Sequence, residues 1–534
     1  MIHLKDISFK YKKDLPYVLK NININILNKE KILIAGPNGA GKTTLSKILS
    51  GILPKIENGV LKGDYFFNNK NVNDLTCQEI LKKTGILLQD FESQLVTTTV
   101  KEELIFYPLN KNISYTDALK SAQRLAENFK IENIFNRDTS ELSGGEKQKV
   151  ALLSLLTANP EIIILDEPFT DIDPKTREDI IDFLMQEFVD KVVLVFEQTL
   201  NYFEYFDRII IINNGEIIFD GNKKDLFNCK KVENAGLELP FVKKYFNGVD
   251  AVDFIKNNYI FDEEKYLNLL KDTEKSNETV ILIKGLFFKY QGINDCVLKN
   301  INFEIKKGDF IIVAGPNGSG KTTLMKIIAG IISNKQGEIK KSINDLKISY
   351  IYQNPDNQIF ADTVFNEVSF ILKTSNINTD IIKQKTEDIL KLMGLFDKKD
   401  EDPFNLPKGD RQKIACASIL IAEPDVIIMD EPTTGLDIPS LNSLMSIVEE
   451  LNNKGKTVII ITHDMDVVSK YGNKILVMLN GEILYYGNKY GVFENDEILI
   501  KANIKRTDIM NLTYKINNKL LLNEKEFNIC WRKK

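Results

Sequence analysis

Two stretches of the 534-residue chain have the composition of a phosphate cradle: GPNGAGKTT at Gly36–Thr44 and GPNGSGKTT at Gly315–Thr323. Gly36, Gly39 and Gly41, and likewise Gly315, Gly318 and Gly320, let backbone N–H groups close around an anion, with Asn38 and Asn317 inside the loop. Lys42 and Lys321 are spaced to reach β- and γ-phosphates. The hydroxyls of Thr43 and Thr322 suit Mg²⁺, and Thr44 and Thr323 follow them. Further along, IIILDEP and VIIMDEP are apolar runs that end in paired carboxylates. Asp166 and Asp430 are placed for the Mg²⁺ shell. Glu167 and Glu431, one residue on, are placed to polarise an attacking water.

Each of these groups needs a scaffold. KILIAG and DFIIVAG are β-rich runs entering the glycine turn, and TTLSKILSG and TTLMKIIAG are helix-like runs leaving it. Strand, loop and helix therefore recur, and so does most of the chain. Gly36 and Gly315 lie 279 residues apart, and FKY at Phe9–Tyr11 matches FKY at Phe288–Tyr290 at the same offset. The first half carries 15 more residues between Lys42 and its next motif, as expected of a surface loop. Domain one is expected over 1–225, a connector or small appendage over 226–278, domain two over 279–495 and a tail over 496–534. The tail reads as a helix folded back on its own domain, or as a docking surface marked by the sole tryptophan, Trp531.

Composition narrows the class. A charged fraction of 27% and a hydrophobic fraction of 43% are those of a folded chain. No apolar run approaches the roughly 20 residues needed to span a bilayer, and the N-terminal residues do not resemble a signal peptide, so the chain is expected in the cytoplasm. A formal net charge of -5 argues against a global nucleic-acid binder. Five cysteines without CxxC spacing and only two histidines, His3 and His463, exclude a zinc framework and a multi-histidine metal site.

LSGGEKQKV at Leu142–Val150 resembles the signature motif of ABC-type ATPases, and the resemblance extends over about four-fifths of the chain. It implies an α/β fold of two P-loop NTPase domains, each a mixed β core with a helical subdomain, arranged head to tail. It implies ATP and Mg²⁺ as cofactors. By resemblance, Tyr11 and Tyr290 are the adenine-stacking aromatics. Gln89 and Gln353 are the loop glutamines that sense Mg²⁺ and a transport partner, and Asp173 and Asp437 belong to the loop after the catalytic glutamate. His463 is the switch histidine at the γ-phosphate. Ser143, Gly144 and Gly145 are the signature residues that close over a nucleotide.

The halves depart from that pattern in two places. LSGGE in the first faces LPKGD in the second, so Pro407 removes both a hydroxyl and an amide donor, and Lys408 replaces a glycine. VVLVFEQTL faces VIIITHDMD, which puts Glu197 at the position of His463, where a carboxylate would repel phosphate. In the head-to-tail geometry of the family both defects fall in one composite site. Lys321, Gln353, Asp430, Glu431 and His463 would work with the intact signature. Lys42, Gln89, Asp166, Glu167 and Glu197 would work with Pro407, Lys408 and Gly409.

After each loop glutamine the sequence runs QDFESQLVTTTVKEELIF and QNPDNQIFADTVFNEVSF. The shared pattern resembles the fused ATPase subunits of energy-coupling factor (ECF) transporters. That resemblance implies a transmembrane coupling protein docking beside Gln89–Leu95 and Gln353–Ile359. It also implies a small substrate-binding membrane protein, a place on the cytoplasmic face of the membrane, and vitamins, their precursors or transition-metal ions as cargo. The alternative is a soluble tandem ABC protein acting on ribosomes. Such proteins usually have two intact signatures and a basic linker, whereas residues 222–278 are balanced in charge.

Overall fold

The computed structural model describes residues 1–534 except 170, 171, 173, 228, 230, 233, 234, 247–249, 272–275, 291–294, 334, 335, 344, 375, 376 and 434, and the side chains of 174, 175 and 243. The chain divides into two units, Met1–Pro240 and Phe241–Lys534.

The first unit is built on a six-stranded sheet. Its strand order is Glu216–Gly221, Arg208–Asn213, Lys31–Ala35, Val192–Glu197, Ile162–Asp166, Thr84–Leu87. All neighbours are parallel except the first pair. Ile162–Asp166 and Lys31–Ala35 are buried along their whole length, which suits near-continuous apolar runs covered on both faces. A separate antiparallel sheet holds Ile2–Lys10 between Leu19–Ile26 and Val60–Phe67. Here residues alternate between buried and exposed, as on a sheet with one dry face. Helices Val100–Asn110, Tyr115–Asn128 and Gly144–Thr157 form a helical layer whose buried residues join the core of Leu33, Ile163 and Val193.

The second unit repeats the six-stranded order with Glu482–Asn488, Lys474–Leu479, Phe310–Ala314, Thr457–Ile461, Val426–Asp430 and Ile348–Ile351. In both units the register sets the motifs side by side. Asp166 pairs with Phe196 and Ala35 with Glu197; Asp430 pairs with Ile461, which also pairs with Val313. The chemistry thus collects at the carboxyl ends of parallel strands, where loops leave a crevice.

The span 226–278 is divided between the units. Leu226, Val232 and Leu237 insert into the first core. From Phe241 on, the chain packs with the tail instead. Tyr259–Phe261 pairs antiparallel with Trp531–Lys533, and Phe246, Ile255, Tyr266, Leu512, Leu521 and Phe527 share one core with Trp531. Trp531 is 7% exposed and packs against Phe261 at 5.1 Å between ring centroids. Of the two readings of the tail, folding back is what the structure displays, although the partner is the connector as well as the domain.

Candidate active sites

Each phosphate loop starts where the backbone is crowded. A Cβ on Gly36 would lie 2.2 Å from the carbonyl oxygen of Ile212, and one on Gly315 would lie 2.2 Å from that of Met478. Only glycine fits. At Gly39 and Gly318, by contrast, a Cβ would project into open space, so the loop keeps room on that side. Lys42 Nζ donates to the carbonyls of Gly36 and Pro37 at 2.8 and 3.0 Å; Lys321 Nζ does the same to Gly315 and Pro316 at 2.9 Å each. The two ammonium groups thus sit folded over their own loops. Tyr11 and Tyr290 are held in matching poses. Their hydroxyls lie 3.0 and 3.2 Å from Thr44 Oγ1 and Thr323 Oγ1, and their rings stand edge-on to Phe9 and Phe288. Both rings stay part-exposed, which leaves a face for a stacking base.

Glu167 and Glu431 have φ of 52° and 46°, a left-handed conformation that non-glycine residues avoid. Their amides donate to Phe196 O and Ile461 O at 2.9 and 3.0 Å, which locks the turn. The carboxylates then meet different partners. Glu167 accepts from Gln89 Nε2 on Oε2 and from Gln198 Nε2 on Oε1, both at 2.8 Å, and Lys42 Nζ is 3.9 Å away. Glu431 Oε1 lies 2.9 Å from His463 Nδ1, while its Oε2 is buried with no hydrogen-bond partner. Burial pushes Glu431 up, but the neighbouring His463 and Lys321 outweigh it and hold the group below the usual glutamate value. Gln353 is exposed.

Glu197 does not stand at the position of His463 as the sequence comparison expects: Asp166 pairs with Phe196 as Asp430 pairs with Ile461, so Glu197 matches Thr462 and Gln198 takes the place of His463. Burial, reinforced by the Glu167 charge, pushes Glu197 up to about 8 against the opposing pull of Arg177 and Lys42. Burial thus favours its neutral form, and its Oε1 has no hydrogen-bond partner. Burial and the Glu167 charge likewise push Asp166 up to about 6, and burial and the Glu431 charge raise Asp430.

These carboxylates fit a cation that arrives with phosphate. Asp166 Oδ1 is buried with no hydrogen-bond partner, and desolvated acids at this density gain from a positive charge. Among the described residues no group of three or more His, Cys, Asp or Glu could hold a metal alone. Mg²⁺ takes one or two protein oxygens and fills its shell with phosphate and water. Thr43 and Asp166, and Thr322 and Asp430, would hold it; Thr322 Oγ1 is already 3.2 Å from Asp430 Oδ1. When bound, it would offset charge on the phosphates.

The signature segments differ as their sequences demand. Ser143 caps helix Gly144–Thr157: its Oγ accepts from Glu146 N, and Glu146 reaches back to Ser143 N at 2.9 Å. An added Cβ at Gly144 would meet nothing. In the second unit Pro407 occupies the cap of Lys408–Leu420 and supplies no side-chain bond, while Asp410 is taken by Lys398 and Lys413. Asp437 caps helix Ile438–Asn453; Asp173 lies outside the described residues.

The acids after the loop glutamines have a structural task. Glu103 is 3% exposed and accepts from Val96 N, Thr97 N and Thr97 Oγ1; Glu367 accepts from Phe360 N and Ala361 N. Val96, Phe106, Phe360 and Phe370 are left exposed around these anchored loops. Three residues that the motifs do not reveal also enter the sites: Gln198, Ser46 and Tyr350. The one available signal is a mismatch between halves, with His463, Met325 and Ile86 at the corresponding positions.

The chain matches the ABC transporter family over residues 19–170 and 298–434. A Caldanaerobacter subterraneus protein described as an ABC transporter ATP-binding protein is 33% identical over 100% of this chain and 99% of its own length. One of the same description from Lactobacillus johnsonii is 32% identical over 97% of this chain and 95% of its own. Among solved structures, an archaeal ribosome recycling factor in complex with a stalk protein shares 22% identity and a TM-score of 0.63, over 96% of this chain and 98% of that one. That likeness is one of fold. The chain belongs to the ABC transporter family and is an ATPase with two ABC domains.

Proposed function

We propose that this ATPase is the energy-coupling subunit of a membrane importer, of the fused ECF kind, with unequal ATP sites. The transport half of the reading is supported by relatives described as transporter ATP-binding proteins over the full chain. Among the described residues no helix is long and apolar enough to cross a membrane, so the path for cargo belongs to other chains. The exposed Val96 and Phe106 of one unit, and Phe360 and Phe370 of the other, suit the apolar helices of a transmembrane coupling protein. A second, substrate-binding membrane protein would select a vitamin, a vitamin precursor or a transition-metal ion.

The observation that carries the inequality is the contrast between Glu431 on His463 and Glu167 on two glutamine amides. In a head-to-tail closure, Lys321, Asp430, Glu431 and His463 work with Ser143, Gly144 and Gly145 as the main hydrolytic site. There Glu431 takes a proton from water, His463 orients Glu431 and meets the γ-phosphate, and Lys321 leaves its loop carbonyls for the phosphates. Lys42, Asp166 and Glu167, facing Pro407 and Lys408, mainly hold ATP. Binding at both sites joins the halves, hydrolysis at one releases them, and the loop glutamines pass the motion on.

Purification of the tagged chain from detergent-solubilised membranes, with mass spectrometry of what accompanies it, tests the reading. Two small integral membrane proteins in stable ratio are expected. Co-sedimentation with ribosomes and no membrane partner would overturn it in favour of a role in translation.

A further inference from the structure

Each aspartate of the DEP pairs is met by one hydroxyl on its Oδ2, and the two halves supply that hydroxyl from different elements. In the first, Ser46 Oγ donates to Asp166 Oδ2 at 3.0 Å from the helix that follows the phosphate loop. The matching residue of the second half is Met325, which has no such donor. There the donor is Tyr350, on the edge strand Ile348–Ile351, with Oη 2.7 Å from Asp430 Oδ2. The first half has Ile86 at that position. Serine with isoleucine in one half thus trades against methionine with tyrosine in the other, and the bond to Oδ2 is kept.

The bond has a geometric consequence. A carboxylate turns freely about its last torsion unless something holds one oxygen. With Oδ2 held by Tyr350, Asp430 Oδ1 stays on the side of Thr322 Oγ1. Burial and the charge of Asp430 push the Tyr350 hydroxyl upward, so it remains a donor. Ser46 is the looser holder, because its single proton has a second acceptor in Thr43 O at 2.9 Å.

We propose that Tyr350 is a positioning residue for the second nucleotide site, turning Asp430 Oδ1 towards Mg²⁺, and that Ser46 is its functional equivalent in the first. This rests on the assignment of Asp430 to the Mg²⁺ shell. The test is binding of a fluorescent ATP analogue to the full chain, in a Lys42→Ala background that silences the first site, titrated with Mg²⁺ and repeated in EDTA. Tyr350→Phe should raise the half-saturating Mg²⁺ concentration about tenfold, the scale of a hydrogen bond to a charged group, and leave affinity in EDTA unchanged. Adding Met325→Ser, the first half's own donor, should restore the response to within about threefold. A wild-type Mg²⁺ response in Tyr350→Phe would overturn the proposal. So would a loss of equal size in EDTA, or a loss that Met325→Ser leaves uncorrected, since either assigns Tyr350 to packing alone. Asp430→Asn separates the layers: if it too leaves the Mg²⁺ response intact, the Mg²⁺ assignment itself fails.

Discussion

Gln198 Nε2 donates to Glu167 Oε1 at 2.8 Å, and His463 Nδ1 meets Glu431 Oε1 at 2.9 Å. The same carboxylate oxygen is thus held in both units from the same place at the end of the neighbouring strand. Asp166 pairs with Phe196 as Asp430 pairs with Ile461, so Glu197 matches Thr462 and Gln198 matches His463. The amides of Glu167 and Glu431 confirm the match, since they donate to Phe196 O and Ile461 O. An amide thus stands in the first unit where an imidazole stands in the second, and an amide cannot take up a proton as the imidazole can.

A base held by two amides and a base held by a histidine should not be equally active. Glu431→Gln is expected to cut steady-state ATP hydrolysis by about 100-fold, the scale of a lost general base. Glu167→Gln should leave it within about threefold of wild type. Parallel phosphate-release assays decide this, and equal losses would remove the case for unequal sites.

Glu197 gives the first unit a pH signature. Its folded-state value of about 8 lies above the ordinary glutamate value of 4.5. Its contribution to stability is therefore full below the unfolded value and is lost as pH rises through about 8. The groups facing it are Glu167, Arg177 and Lys42. Glu197→Gln keeps the neutral form and should melt about 3 °C or more above wild type at pH 9, with little difference at pH 5. Melting curves of the nucleotide-free protein that stay parallel from pH 5 to 9 would sink this.

The halves, their loops and their carboxylates are legible in sequence because each is a short pattern whose physics is local. A glycine turn between a strand and a helix needs nothing distant to be recognised. The left-handed turn at Glu167 and Glu431 is not legible, because residue type there gives no hint of positive φ. Nor are Gln198, Ser46 and Tyr350, whose roles depend on which strand lies alongside and which way a side chain turns. The task of Glu103 and Glu367 is hidden too, because it depends on how the preceding loop folds and brings backbone amides onto them. The pairing of connector and tail is hidden most deeply. Its strands are three residues each, too short for periodicity, and Asp262 and Arg532, whose ion pair joins them, are 270 positions apart.

Loss of the signature serine should be visible in stability as well as in hydrolysis. Ser143→Ala removes the cap of Gly144–Thr157 and is expected to cost about 1 kcal/mol in urea unfolding of the first unit. Pro407→Ala should be near neutral, because Pro407 makes no side-chain cap bond. A Pro407→Ala loss as large as that of Ser143→Ala would mean that the two helix starts are equivalent after all.

The shared core of connector and tail can be read through its own reporter, since Trp531 is the only tryptophan. Its ring packs against Phe261 at 5.1 Å and stacks on Phe527 at 6.1 Å, shielded from water. The native chain should therefore emit at short wavelength. Phe261→Ala, far away in sequence, opens one side of that ring and should shift the emission to the red in the folded protein. The two rings should also be coupled: in a double-mutant cycle with Trp531→Ala, the losses should fall short of additive by about 0.5–1.5 kcal/mol, the range for an aromatic pair. Ile260→Ala serves as the comparison, because Ile260 sits on the same strand but is 60% exposed. It should leave the emission where it is. If Phe261→Ala also leaves it unmoved, Trp531 does not rest on the connector, and the tail folds on its own.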